Sequence, residues 1–277
     1  MHTNIDRLRI IKIEEIIEET PTVRTLAFRD EISSRAGAGQ FLMVWIPGAE
    51  ELPMSVMIWH EKSSAALTVR KKGYGSTSLY NKSRGERLGV RGPYGNTFEI
   101  EEKAKKVMLV GGGTGLVPLL RLAGHLNDAK IDTTLIIGAK THTEVFFEKL
   151  AGKCLADTNH KIVTTTEDGS YGLKGKATDA MLDLISNESF DTIYTCGPEA
   201  MMKKVYDLAF ADSIPVQASL ERYMKCGIGI CASCCIGDKL VCKDGTVFNS
   251  KHLSSLSEFG LEFRDKSGRK CNLSGHD

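Results

Sequence analysis

The spacing Cys226-x4-Cys231-x2-Cys234-x7-Cys242 constrains this chain more than any other feature in it. Five of the eight cysteines, Cys235 among them, fall between positions 226 and 242, while Cys154, Cys196 and Cys271 are scattered. The start, Met1 to Ile10, carries no apolar stretch of the kind that directs secretion, so the expected compartment is the cytoplasm. There a metal centre explains the cluster better than disulfides do. Four thiolates in the order C-x4-C-x2-C…C suit a [2Fe-2S] cluster. Gly227 and Gly229 let the loop wrap inorganic sulfide closely and aim amide N–H groups at it. A structural zinc site is the alternative, although zinc loops usually show paired C-x2-C knuckles set further apart. Cys235 directly follows Cys234 and points elsewhere, so it reads as a packed thiol. The three scattered cysteines read as buried or simply exposed.

Outside that segment the chain reads as an ordinary globular protein. At 277 residues it has room for about two domains, each with its own core. Lys and Arg total 36 against 35 Asp and Glu, which leaves no global pull toward nucleic acid or anionic lipid. No apolar run approaches the roughly 18 residues of a membrane span. Neither a nucleic acid nor a membrane is therefore expected as a partner.

From Leu8 to Phe98, short apolar runs alternate with turn residues: Thr22 to Phe28, Gln40 to Ile46, Met54 to Trp59 and Ala66 to Arg70. Such runs predict an antiparallel barrel or sandwich over residues 1–100, closed by turn chemistry at Arg91-Gly92-Pro93-Tyr94-Gly95-Asn96. The charged stretch 101–106 marks a boundary. Beyond it, buried-strand runs at Val107 to Val110, Thr134 to Ile137, Lys161 to Thr166 and Thr192 to Thr195 alternate with helical patterns. The helices are expected at Leu116 to Ala129, Glu144 to Leu150, Ala177 to Ile185 and Glu199 to Phe210. This alternation predicts an α/β domain with a parallel sheet over 101–217. Residues 218–277 then form the cysteine-rich segment, with a loop-rich tail from Lys251.

Val110-Gly111-Gly112-Gly113-Thr114-Gly115-Leu116 runs from a buried strand through a glycine turn into a helix. That arrangement gathers free amides and the positive helix end at one point, as a pyrophosphate requires. Thr195-Cys196-Gly197-Pro198-Glu199 ends another strand and opens another helix, which puts it at the carboxyl edge of the same sheet, where open α/β folds bind ligands. A plain strand-to-helix turn is the other reading of that motif. In the first domain, Leu52-Pro53-Met54-Ser55 and the stretch Arg70 to Thr77, where Gly75-Ser76-Thr77 can cap a helix, are the ligand-facing candidates. No Ser/His/Asp constellation, zincin motif or Walker loop appears, and the seven histidines show no ligand spacing.

A barrel with P-x-S and G-x-[ST], a GGGTGLVP-to-CGPE nucleotide domain and a C-x4-C-x2-C…C tail occur here in one order. That order resembles the ferredoxin reductase superfamily, and more closely the iron–sulfur electron-transfer subunit of two-component dihydroorotate dehydrogenase. The likeness covers nearly the whole chain and extends to Ser219-Leu220-Glu221, to Val241-Cys242-Lys243-Asp244-Gly245-Thr246-Val247-Phe248 and to Glu167-Asp168-Gly169-Ser170-Tyr171-Gly172. It implies FAD on the barrel, with Pro53, Met54 and Ser55 beside the isoalloxazine and Val69, Arg70, Gly75 and Ser76 around the ribityl and pyrophosphate. It implies NAD at Gly111, Gly112, Gly113, Thr114, Gly115, Cys196, Gly197 and Pro198, and a [2Fe-2S] cluster on Cys226, Cys231, Cys234 and Cys242. The chain departs from the family pattern R-P-x-S at Leu52, where an arginine would bind the diphosphate; Arg70, Lys71 and Lys72 are the cations available instead. Similar hydrogenase and transhydrogenase subunits often carry Asp in the first ligand position, so Cys226 favours the dihydroorotate type.

The resemblance therefore implies an electron relay in pyrimidine biosynthesis. Electrons from dihydroorotate would enter from an FMN-containing catalytic subunit, in a heterotetramer, pass through the cluster and FAD, and leave as hydride to NAD+. Dihydroorotate needs no acid–base residue in this chain. The alternatives are a sulfide- or ferredoxin-linked NAD(P)H reductase subunit and a flavin-free iron–sulfur redox sensor.

Overall fold

The computed structural model describes residues 5–59 and 63–273, so the first four residues of the Met1 to Ile10 stretch lie outside the described residues. Six antiparallel strands close into a barrel: β1 (Arg9–Thr20), β2 (Val23–Arg29), β3 (Phe41–Trp45), β4 (Glu51–Met57), β5 (Ser64–Arg70) and β6 (Arg87–Tyr94). Their order is β1-β2-β5-β4-β3-β6, and β6 returns to β1 through pairs such as Arg9↔Val90. Closure leaves no open strand edge and points one side chain in two inward. Leu26, Phe28, Leu42, Val44, Val56, Leu67, Val69, Leu88 and Val90 fill the interior. Arg91–Tyr94, expected as a turn, is instead the last part of β6, because Arg91 pairs with Met43 and Tyr94 with Phe41 of β3.

The second layer is a seven-stranded sheet. Its parallel strands are β7 (Lys106–Gly112), β8 (Asp132–Ala139), β9 (His160–Thr166), β10 (Leu173–Lys174), β11 (Thr192–Cys196) and β12 (Val216–Ser219). Val107, Met108, Leu109 and Val110 are all buried, as a strand covered by helices on both faces requires. Helices Leu116–Asp128, Ala177–Asn187 and Glu199–Ala211 do the covering. The sheet runs β10-β9-β8-β7-β11-β12 and ends on β15 (Val247–Asn249), so successive connections turn opposite ways on either side of β7 and open a crevice at the carboxyl edge. The helix expected at Glu144 to Leu150 lies at Glu148–Cys154 instead. Phe146 and Phe147 are both buried, with ring centroids 4.7 Å apart, and Phe147 takes a left-handed φ of 69° that delays the helix start.

The cysteine-rich segment contains a two-residue hairpin, β13 (Cys235–Ile236) and β14 (Lys239–Leu240), before β15 (Val247–Asn249) joins the sheet antiparallel to β12. Thus β12 crosses the expected 217/218 boundary, and the last segment lends the sheet its edge strand. The tail is more ordered than expected. It holds helix Ser250–Ser255 and the hairpin of β16 (Glu262–Arg264) and β17 (Lys270–Asn272), and it buries Phe248, Leu253, Leu256 and Phe259 in a core shared with helix Glu199–Ala211. Among the described residues no helix is long and apolar enough to cross a membrane.

Candidate electron-transfer site

The loop after β12 brings four thiols together as two pairs. Cys226 Sγ accepts from the Ile230 and Cys231 amides at 3.4 and 3.5 Å. The hairpin and the short helix Val241–Asp244 carry the chain back, so that the Cys242 amide donates to Cys234 Sγ at 3.4 Å. Cys235 sits outside this ring, in β13 opposite Leu240.

Local chemistry favours thiolates at two of the four positions. Burial would raise Cys231, but hydrogen bonds from Ser233 and Cys226 outweigh it and bring the thiol down to about 6. The bond from Cys242 holds Cys234 at about 7, while Cys242, bonded to it, is pushed up. Gly227 has φ 75°, and a Cβ there would stand 2.6 Å from Met43 Cγ, so the loop rests directly on the barrel. Among the described residues, no three Cys, His, Asp or Glu side chains stand ready around a single metal ion. Two thiol pairs with amides aimed at sulfur fit a binuclear centre, which needs two protein ligands per iron.

Gly111, Gly112, Gly113, Thr114, Gly115, Cys196, Gly197 and Pro198 converge at the carboxyl edge of the sheet. Cys196 pairs with Gly111 across β11 and β7. Gly113 has φ 56°, and a Cβ on Gly112 would lie 3.3 Å from Pro198 Cδ. Their missing Cβ atoms leave a cradle in front of helix Leu116–Asp128. The Cys196 thiol is fully buried, and burial pushes it up. Glu221, two residues past the end of β12, is exposed to solvent.

On the barrel side, Pro53, Met54 and Ser55 lie half-buried in β4, opposite Met43, Leu42 and Phe41 of β3. Val69 buries its side chain in the barrel core and pairs with Arg24 of β2. Arg70 reaches across to the nucleotide side, where Nη2 donates to Glu144 Oε2 at 2.6 Å and Nη1 lies 3.6 Å from where a Gly113 Cβ would be. Gly75 and Ser76 fall in the first turn of helix Tyr74–Tyr80. The Gly75 amide donates to Glu50 Oε1 at 3.0 Å, and Ser76 Oγ accepts from the Gly73 amide at 2.9 Å. Thus the rim of the barrel and the glycine turn face one cleft, with the thiol loop against the barrel wall.

Sequence reasoning missed the residues that join these parts. Arg91 lay hidden in what read as a turn, yet its Nη2 donates to the Cys226 carbonyl at 3.2 Å. Asn96 clamps β15, donating from Nδ2 to the Val247 carbonyl and accepting the Val247 amide on Oδ1, both at 2.8 Å. Only the charge of Arg91 and the amide of Asn96 set them apart from turn residues in the sequence.

A closed barrel facing the switch point of a parallel nucleotide sheet, with a four-thiol loop between, defines a ferredoxin reductase-like electron-transfer protein with an iron–sulfur segment. Residues 221–254 match the family described as iron-sulfur cluster binding domain of dihydroorotate dehydrogenase B, and residues 109–207 match the oxidoreductase NAD-binding domain. The chain belongs to the family of dihydroorotate dehydrogenase B (NAD+) electron transfer subunits. It is 41% identical over 267 residues to the probable subunit of Methanocaldococcus jannaschii, covering 94% of this chain and 97% of that one. It is 42% identical to that of Thermoplasma volcanium, covering 95% and 98%. Among solved structures, an NADH-dependent reduced ferredoxin–NADP oxidoreductase is similar with a TM-score of 0.79 and 28% identity, covering 91% of this chain and 93% of that one.

Proposed function

We propose that this chain is the electron-transfer subunit of an NAD-linked dihydroorotate dehydrogenase of pyrimidine biosynthesis, working beside a separate FMN-containing catalytic subunit in a cytoplasmic heterotetramer. The observation that carries the reading is the pairing of Cys226 with Cys231 and of Cys234 with Cys242 through amide-to-sulfur bonds, in a loop seated on the barrel wall beside the nucleotide cleft. When bound, the [2Fe-2S] cluster exchanges single electrons and FAD exchanges a hydride with NAD+.

The protein's part is placement. Cys226, Cys231, Cys234 and Cys242 hold the cluster. Pro53, Met54 and Ser55 line the flavin ring, with Val69, Arg70, Gly75 and Ser76 toward the ribityl chain and diphosphate. Arg70 stands in for the cation that Leu52 lacks. Gly111 to Gly115 take the nucleotide pyrophosphate on backbone amides, and Cys196, Gly197 and Pro198 close the crevice over the nicotinamide.

The loaded chain alone is expected to reduce artificial acceptors with NADH and to leave dihydroorotate untouched; adding the FMN subunit confers NAD-linked dihydroorotate oxidation. Each of Cys226→Ser, Cys231→Ser, Cys234→Ser and Cys242→Ser should abolish the reduced-cluster EPR signal, whereas Cys235→Ser keeps it. Dihydroorotate turnover by the chain alone would refute the assignment. The likeness to a ferredoxin–NADP oxidoreductase supports a ferredoxin-linked NAD(P)H reductase subunit as the second reading. Coupling to ferredoxin with no complex formed with the FMN subunit would select it.

A further inference from the structure

We propose that Arg91, braced by Glu51, is a positioning residue that couples the iron–sulfur loop to the flavin strand and raises the reduction potential of the cluster. The inference rests on the function proposed above. Arg91 stands in β6 on the barrel wall, with its side chain largely buried. Its Nε and Nη2 meet both carboxylate oxygens of Glu51 at 2.8 and 2.7 Å, a two-pronged pair that fixes the guanidinium plane. From that fixed position Nη2 also donates to the carbonyl of Cys226, the first cysteine of the loop. Tyr94 supports the other side, with its ring centroid 5.8 Å from the guanidinium carbon and its hydroxyl 3.4 Å from Nη1. Met43 and Tyr94 also line Gly227, the next residue of the loop. Glu51 lies two positions before Pro53, in the strand assigned above to the flavin. One ion pair therefore spans from the flavin strand to the backbone of a cluster cysteine.

Reduction of the cluster adds one negative charge. A fixed, water-shielded cation beside it favours the reduced form, and a carboxylate disfavours it. The guanidinium, not the carboxylate, bonds the loop, so the cation dominates and Glu51 moderates it. Loss of the Arg91 charge should shift the reduction equilibrium about tenfold toward the oxidised cluster, or 59 mV for one electron. Loss of the Glu51 charge should shift it the opposite way. A merely structural link predicts no such opposition of sign.

The test is an EPR-monitored redox titration of the holoprotein carrying FAD and cluster. Arg91→Gln is expected to lower the cluster potential, Glu51→Gln to raise it, and Arg91→Lys, which keeps the charge, to move it less than Arg91→Gln. An unchanged potential in Arg91→Gln, or shifts of the same sign in Arg91→Gln and Glu51→Gln, overturns the inference. If Arg91→Gln fails to assemble a cluster, an unchanged or lowered potential in Glu51→Gln overturns it. A wild-type chain that gives no reduced-cluster signal overturns the functional reading itself.

Discussion

Replacing Gly115 by alanine tests whether the nucleotide turn depends on close backbone contact. Gly115 has φ −62° and ψ −14°, which any residue adopts, so alanine brings no conformational strain. In the absence of a clash, the smaller entropy of the unfolded chain would make the variant more stable by about 0.4–1 kcal/mol. A Cβ at this position, however, would stand 2.5 Å from both the Cys196 carbonyl carbon and Gly197 N, and closer still to the Cys196 oxygen. These are backbone atoms of a strand end paired to Gly111, so they cannot rotate away as a side chain could. Overpacking of this kind costs about 1–3 kcal/mol. The strand end or the start of helix Leu116–Asp128 must move, and the amides of the cradle move with it. Gly115→Ala is thus expected to unfold at lower denaturant by that amount and to bind NADH about tenfold more weakly, since about 1.4 kcal/mol of lost contact is one decade. Gly73→Ala is the control, because a Cβ there would meet nothing within 4 Å. Urea titration and NADH fluorescence decide the matter: a Gly115→Ala chain as stable as wild type, with unchanged NADH affinity, refutes the close-contact argument.

Asp30 caps helix Glu31–Ser34 and takes both Nε and Nη2 of Arg9 at 3.0 Å; burial would raise its pKa, but these bonds and those from Ser33 outweigh it and hold it low. Asp30→Asn, which keeps the capping oxygen, should cost about 1.5–3 kcal/mol at neutral pH. A lowered carboxylate pKa contributes stability above the ordinary Asp range and loses it as pH falls through the folded value. The wild-type advantage in denaturant midpoint should therefore fade below about pH 4 and vanish in stronger acid; an advantage constant with pH counts against the pair. Glu199 and Arg222 form a buried two-pronged ion pair, and Glu199 Oε1 also accepts the Gly260 amide at 2.8 Å, so Glu199→Gln is expected to lower unfolding free energy by roughly 3–5 kcal/mol; a loss below 1 kcal/mol would show that the pair does not hold the tail. Glu167 and Asp168 follow β9 at the carboxyl edge, with Asp168 kept ionised by its bonds from Ser170, so steady-state diaphorase assays should favour NADH, and a clear NADPH preference refutes this.

The strand runs at Thr22 to Phe28 and Ala66 to Arg70 and the sheet strands from Val107 onward were legible because they bury both faces and so read as nearly unbroken apolar runs, Val107 and Leu109 entering one core and Met108 and Val110 another. The strand β1 carried a weaker signal, since Glu14, Glu15, Glu18 and Glu19 interrupt its isoleucines and its pairing with β2 shifts register twice. The tail misled for another reason. Most of its polar residues face water, while Leu253, Leu256 and Phe259 pack on a helix some fifty positions earlier, a contact that local composition does not encode. The cysteine spacing pointed to the loop, but the loop's support did not show: Arg91 and Cys226 are 135 positions apart, and only the closed barrel brings them together.

The chain leaves the nucleotide sheet at Ser219 and re-enters it at Val247, one residue opposite the other across β12 and β15. Everything between is an excursion with both feet clipped to the same edge, and Thr246 is tied to the Gly39 carbonyl at 2.5 Å besides. A redox group on a single flexible tether must diffuse to its donor and back, and its turnover then slows as the medium thickens. Here the loop has no such stroke. The internal electron step should accordingly be indifferent to glycerol or sucrose, and only encounters with an outside partner should feel the drag of the solvent.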